Sequence, residues 1–284
     1  MNWKSYHIFI HDYSYHDIFI KNYLNNLLHS ENIDDYFFIR YWQGGPHIRL
    51  RVKTADDNKV KGLLVKEIRK FKEIYATSIR LNPDEYYQNQ NFYGENIESE
   101  DLYWYKDLTV VEIPYIPEYN RYGGEKYISF SEEIFKESSK VALSILDKQP
   151  TLNKKIFFSI LINQLLLNTL TKEKQIKLMK EYSLFWNNHN DTSLSNETKE
   201  KFINKLISLN KISYFFNKLE LEIINKYLNA FISLKEVNGN ISEYVLFSHI
   251  HMFNNRLGIP PYLESTIADI ILSMIRGGNF ELEF

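Results

Sequence analysis

The spacing of apolar residues changes character midway along the chain. Trp3 to Ile10 nearly alternates and is rich in Tyr, Ile and Phe, which predicts a strand. Asp17 to Leu28 then places Ile18, Phe19, Tyr23, Leu24, Leu27 and Leu28 at helical spacing. Two further strands are predicted at Tyr36 to Trp42 and His47 to Lys53. Gln43-Gly44-Gly45-Pro46 joins them and reads as a hairpin turn. Asn58 to Tyr75 is helical again through Val60, Leu63, Leu64, Ile68, Phe71 and Ile74, and after a polar, Tyr-rich loop Leu102 to Tyr115 supplies further strand material. The order β-α-β-β-α-β predicts an α+β fold whose first half, 1–125, is ferredoxin-like, with helices on one face of an antiparallel sheet.

After Gly124 the pattern is helical almost to the end. Ser131-Glu132-Glu133 reads as a helix start, with a cap and acids in the first turn. Helices are expected at about 131–147, 153–170, 172–187, 195–209, 212–235, 241–257 and 261–276. Pro150, the Asn188–Asn196 segment and Asn238-Gly239-Asn240 punctuate them. With no internal repeat and no low-complexity linker, the two halves, 1–125 and 126–284, are expected to form a single domain.

Composition narrows the function classes. Of the 284 residues 44% are hydrophobic and 15% aromatic, enough for a real core. A formal net charge of -2 argues against binding driven by a phosphate backbone, so any positive potential must be local. The absence of cysteine excludes disulfides, thiolate metal sites and cysteine nucleophiles. The first residues do not read as a signal peptide, because His7, His11 and Asp12 interrupt the apolar run. Phe157 to Leu170 is too short to span a bilayer and contains Asn163, Gln164 and Asn168, so it reads as a core helix. A cytoplasmic protein without membrane attachment is expected.

Three segments carry candidate chemistry. On the strand after the hairpin, His47, Arg49 and Arg51 alternate with Ile48, Leu50 and Val52. The basic residues therefore share the face that the helices leave uncovered. An ordinary solvated sheet face would look similar. Like charges repel, however, and grouping them makes sense where a carboxylate arrives. The second segment is Pro117-Glu118-Tyr119-Asn120-Arg121-Tyr122-Gly123-Gly124, in which Glu118 can pair with Arg121 and the glycines permit a sharp turn. The third is Ser248-His249-Ile250-His251-Met252-Phe253-Asn254-Asn255-Arg256-Leu257. On a helix His251 and Asn255 share a face and His249 points elsewhere. No HExxH, P-loop or G-x-G-x-x-G spacing is present, so no metal, nucleotide or other cofactor is expected.

Taken in order, these segments resemble the C-terminal elimination domain of lantibiotic dehydratases, also found as a stand-alone protein in thiopeptide biosynthesis. The resemblance rests on F-x-R-Y, H-x-R-x-R, P-E-x-x-R-Y-G-G, an acidic helix leading into Ser139-Lys140, and S-x-x-H-M-x-x-N-R-L. One departure is Ser138, where the family pattern often has Asp.

The resemblance implies a lyase. Full-length relatives transfer glutamate from glutamyl-tRNA to peptide Ser or Thr and then eliminate it to leave dehydroalanine or dehydrobutyrine. This chain has no room for the glutamylation region, so elimination alone is expected. The implied catalytic residues are Arg49, Arg51, Glu118, Arg121, Lys140 and His251. The arginines would hold the glutamyl carboxylates, Glu118 would orient Arg121, Lys140 would complete the cationic ring, and His251 would transfer the proton. The implied partners are a glutamylated precursor peptide and a separate tRNA-dependent glutamylation enzyme, with no direct contact to nucleic acid. A homodimer is one assembly that the resemblance allows. Two alternatives stand beside this reading. One is a thiopeptide pyridine synthase, joining two dehydroalanines in a formal [4+2] cyclisation with release of the leader. The other is a non-catalytic scaffold that grips an acidic leader peptide.

Overall fold

A computed structural model describes residues 2–54, 56–75, 80–88, 102–187, 195–208, 212–238 and 243–277. It is an α+β protein with one four-stranded antiparallel sheet and is mostly helical. The chain divides into two compact units, Met1–Pro117 and Glu118–Phe284. The Glu118–Gly124 turn therefore opens the second unit.

In the first unit, strand β1 (Trp3–Phe9) leads into a helical run: α1 (His16–Phe19), a π-helical stretch (Ile20–Asn25) and α2 (Asn26–Ser30). Of the face expected from helical spacing, Phe19, Tyr23, Leu24, Leu27 and Leu28 are buried, whereas Ile18 is only half-buried and Ile20 is buried as well. Next come β2 (Tyr36–Tyr41), β3 (His47–Lys53), α3 (Asp57–Ile74), a short α4 (Pro83–Gln88) and β4 (Thr109–Glu112). Of the strand material expected between Leu102 and Tyr115, only those last four residues pair. Tyr103 to Tyr105 lie at the hairpin instead, where the Tyr105 amide donates to the Gly44 carbonyl at 2.9 Å and the Tyr87 hydroxyl donates to the Tyr103 carbonyl at 2.6 Å.

The sheet order is β2-β3-β1-β4. Directly opposed residues share a face, so Tyr6, Ile8, Phe38, Ile48, Leu50 and Val52 form one apolar surface, and each of them is fully buried. Ion pairs fix which side the helices cover. Arg40 of β2, on this face, meets Asp17 of α1 at 2.7 Å, and Glu112 of β4 meets Lys61 of α3 at 3.3 Å. His7, Arg49, Arg51 and His47 therefore lie on the opposite face, as the alternation predicts.

The second unit begins with α5 (Ile128–Asp147), reached through a 3-10 turn at Glu125–Tyr127. Ser131 does not cap this helix. It sits in the second turn with no exposure, because the glycine turn and the 3-10 turn deliver the chain to the helix three residues earlier than expected. Next follow α6 (Leu152–Leu167), α7 (Lys172–Asn187) and α8 (Asn196–Ser208). Residues Lys155 to Leu167 of α6 are buried on every side, as an all-round apolar helix must be. The helix expected at 212–235 is two pieces, a 3-10 turn (Ile212–Tyr214) and α9 (Lys218–Asn238). A capping box starts the second piece. The Asn217 side chain accepts from the Glu220 amide at 3.0 Å, and the Glu220 carboxylate accepts from the Asn217 amide at 2.8 Å. Helix α10 (Glu243–Leu257) and, after a Pro-led 3-10 turn, α11 (Glu264–Gly277) complete the unit. Of the breaks expected at Asn188–Asn196 and Asn238-Gly239-Asn240, Asn196 opens α8 and Asn238 closes α9, and residues 188–194 and 239–240 lie outside the described residues. No helix among the described residues is long and apolar enough to cross a membrane.

Five histidines are buried in these two units; burial lowers His11 below its ordinary range, and the other four are held neutral. Burial first, then nearby arginines, lowers His7 to about 2, His16 to about 3 and His249 to about 3. His47 is likewise pushed well below its ordinary range by burial and Arg49. In the unfolded chain all four titrate near the usual histidine value, so below that value the unfolded state binds more protons and stability falls with falling pH. His7, His16 and His249 then each cost about 2 kcal/mol of stability at pH 5, and His47 acts in the same direction. Thermal melts should show a plateau above about pH 7 and a steep loss between about pH 6.5 and pH 4. An equal melting temperature at pH 7.5 and pH 5 would contradict neutral burial.

Candidate active site

On the sheet face opposite the helices, two cations lie on an aromatic bed. The Arg49 guanidinium sits 3.4 Å above the Tyr41 ring, and Arg51 lies 5.6 Å from Phe37 and 5.5 Å from Tyr115. Ring faces stabilise a cation that burial would otherwise penalise, and Arg51 is only 7% exposed. That is not a solvated sheet face.

His47 ties the hairpin to this pair. The Nε of Arg49 donates to His47 Nε2 at 3.0 Å, and His47 Nδ1 lies 2.7 Å from the Gly45 carbonyl. A guanidinium can only donate, so Nε2 accepts and Nδ1 carries the proton. His7 of β1, opposite Arg49 in the register, stacks on His47 at 4.8 Å. The face therefore carries two fixed positive charges and two neutral imidazoles. Such a surface suits an anion with more than one oxygen. The sequence reading passed over His7, although alternation along Trp3, Ser5, His7 and Phe9 points it to this face.

In the second unit the Gly123-Gly124 turn takes positive φ at both residues, 87° and 110°. The Gly124 amide closes back on the Tyr119 carbonyl at 2.7 Å. The turn holds Arg121 between Glu118, whose carboxylate is 3.2 Å away, and Ser248 of α10, whose hydroxyl accepts from Nε at 3.3 Å. Lys140 pairs with Glu137 one turn earlier on α5 at 2.8 Å. Ser138, the departure from the family pattern, donates to the Phe135 carbonyl within its own helix.

The two histidines of α10 have different surroundings. His249 is 2% exposed, ringed by Tyr122, Phe135 and Phe231, with Ser131 Oγ 3.4 Å from Nε2. The nearby charges are Arg256 and Arg121. Arg256 is itself fully buried, donates from Nε to Ser139 Oγ at 3.0 Å, and is lowered to about 10 by burial. Ser139 and Arg256 thus join α5 to α10.

His251, one turn beyond Ser248, is partly exposed and lies beside the Trp186 ring at 4.9 Å. Its Nδ1 is 2.7 Å from a carboxylate oxygen of Glu264, a residue with no exposure at all. The other oxygen of Glu264 accepts from Asn254 Nδ2 at 3.0 Å and from the Tyr182 hydroxyl. Burial, then the Glu264 charge, holds the Tyr182 phenol well above its usual value, so it remains a donor. A carboxylate facing Nδ1 puts the ring proton there and leaves Nε2 basic. Of the candidates within this unit, Arg121 is paired with Glu118, Lys140 with Glu137, and His251 with Glu264. Sequence reasoning missed Glu264. An acid in the first turn of a helix after Pro260-Pro261 reads as a solvated N-terminal acid, and nothing local marks it as buried.

Comparison with known proteins agrees with the motifs. The sequence model described as lantibiotic biosynthesis dehydratase C-term matches residues 3–275. Epidermin biosynthesis protein EpiB of Staphylococcus epidermidis is 26% identical over 95% of this chain, which spans 25% of that relative's length. In fold, the chain is similar to the pyridine synthase TbtD from thiomuracin biosynthesis, with a TM-score of 0.71 at 14% identity over 98% of both chains. It is also similar to the tRNA dependent lantibiotic dehydratase MibB from Microbispora sp. 107891, with a TM-score of 0.62 at 16% identity over 97% of this chain and 28% of that one. With the profile match running nearly end to end over the strand arginines, the glycine turn and α10, the chain belongs to the lantibiotic biosynthesis dehydratase C-terminal family.

Proposed function

We propose that the chain eliminates glutamate from glutamylated Ser or Thr of a ribosomally made precursor peptide, giving dehydroalanine or dehydrobutyrine. The observation that carries this reading is the His251–Glu264 pair, a partly exposed imidazole with its proton-bearing nitrogen held by a buried carboxylate. That arrangement suits a general base. His251 Nε2 takes the α-proton, its electron pair becomes the Cα=Cβ bond, and the Cβ–O bond breaks. Glutamate departs as a carboxylate, and the proton passes from His251 to water.

Negative charge gathers on the peptide carbonyl and on the leaving carboxylate, and fixed cations stabilise it as it forms. In this reading Arg49 and Arg51 bind the glutamyl carboxylates, Arg121 oriented by Glu118 and Lys140 supply further positive charge, and no cofactor takes part. The substrate comes from a separate tRNA-dependent glutamylation activity in the cytoplasm, and the chain itself binds neither nucleic acid nor membrane. A homodimer is compatible with this. We also read residues 1–284 as one functional domain whose first part is ferredoxin-like. The sheet order β2-β3-β1-β4, with helices between β1 and β2 and between β3 and β4, supports the latter.

The direct test is a synthetic peptide carrying O-glutamyl serine, incubated with the protein, a chelator and no tRNA. Mass spectrometry should show the dehydroalanine peptide and free glutamate. Turnover of a bis-dehydroalanine peptide in place of the glutamyl peptide would assign the pyridine synthase reaction instead. Salt-sensitive binding without turnover of either would leave the scaffold reading.

Variants divide the labour. His251→Ala should lower single-turnover elimination by on the order of a hundred- to a thousandfold and His249→Ala by far less. Arg51→Ala should cost a comparable factor with glutamyl peptide accumulating. Glu264→Gln keeps the shape but loses the charge and should cost on the order of a thousandfold or more. Melting curves confirm folding. Near-normal turnover in His251→Ala would remove the base from this mechanism.

A further inference from the structure

Beyond the residues that face a substrate, a chain of buried polar groups runs from His251 into the helical core. Asn254 lies three residues further along α10 and has no exposure. Its Nδ2 donates to Glu264 at 3.0 Å. Its Oδ1 accepts from Ser159 Oγ at 2.6 Å and from Asn163 Nδ2 at 3.3 Å, both on α6. The orientation of this amide is unambiguous. Turned over, its oxygen would face the Glu264 carboxylate, which can only accept. Tyr182 of α7 donates to the same Glu264 oxygen as Asn254.

Helices α7 and α10 thus bring three groups to one carboxylate on α11, and α6 reaches it through Asn254. We propose that Asn254 and Tyr182 are positioning residues that hold Glu264 so that His251 keeps its proton on Nδ1 and presents Nε2 to the substrate, with Ser159 anchoring the Asn254 amide oxygen. This rests on the reading of His251 as the base.

The physical reason is the cost of an unsatisfied buried carboxylate. Glu264 has no exposure, so its oxygens depend on protein donors. If either donor on the second oxygen is removed, the carboxylate gains by rotating toward whatever donor remains, and its direct hold on Nδ1 loosens. The imidazole then samples both tautomers. Asn254→Asp is the sharper perturbation, because it sets a second carboxylate against the first in nearly unchanged volume. The two must share a proton, so the charge that faced His251 is divided between two carboxyl groups.

The test reads the tautomer directly. Long-range proton–nitrogen NMR of the 15N-histidine-labelled full chain distinguishes a protonated Nδ1 from a protonated Nε2. Wild type should show the Nδ1–H form at His251, assigned by comparison with His251→Gln. Tyr182→Phe, Ser159→Ala and Asn254→Asp should each shift the signals toward a mixture. With the O-glutamyl serine peptide, the same variants should lose on the order of ten- to a hundredfold in kcat, with KM changed less than about twofold. Tyr182→Phe and Ser159→Ala remove one oxygen each and keep the packing, so they answer the question should Asn254→Asp fail to fold. An Nε2–H tautomer in wild type, or an unchanged tautomer in all folded variants, overturns the positioning role whatever the rates. A shifted tautomer with undiminished elimination overturns the assignment of His251 as base instead.

Discussion

Helix α10 is governed by one constraint: a buried polar group must find a partner. Its residues Ser248, His249, Asn254 and Arg256 are all nearly without solvent exposure. Each would cost a few kcal/mol if left unsatisfied in the core, so each dictates what its neighbours must be. Ser248 donates to the Tyr244 carbonyl of its own helix and accepts from Arg121, Asn254 meets Ser159 and Glu264, and Arg256 meets Ser139 and the Phe135 ring. The order of helices around α10 follows from satisfying that list. His251 is the member left at the surface, and it inherits the rigidity of the rest.

The same logic operates in the sheet with a different chemistry. There the two arginines are stabilised by ring faces, and the imidazoles between them remain neutral. The protein has placed charge where it wants charge and has kept adjacent titratable groups from adding to it. Neutral His47 can accept a hydrogen bond from Arg49. A protonated ring could not, and would repel it.

How much of this was legible in the sequence follows the range of the interactions. Alternation along β3 put Arg49 and Arg51 on one face and Ile48, Leu50 and Val52 on the other, because a strand's period is a local property. The Glu118–Arg121 pair and the glycine turn were likewise three or four residues wide. Glu264 was out of reach. It sits thirteen positions beyond His251, across two prolines, and only packing against Tyr182 and Asn254 makes it a buried carboxylate. The start of α5 was misjudged for a related reason. Ser131 has the chemistry of a cap, but the turn before it had already begun the helix, and its hydroxyl faces His249 instead.

The hairpin between β2 and β3 carries a consequence for how such a protein can change over generations. Gly44 and Gly45 adopt φ of 86° and 101°, and a methyl group on either would come within 2.6 Å of Tyr103 or His11 respectively. Neither glycine can therefore be exchanged alone without strain in the backbone and collision with a ring. The segment Tyr103 to Tyr105, distant in the chain, is bound to the same fate, since it hydrogen-bonds the turn it covers. Inheritance along this lineage should treat the two stretches as one unit. A smaller ring above the turn would relieve the collision at Gly44, but the positive φ would still strain any side chain placed there.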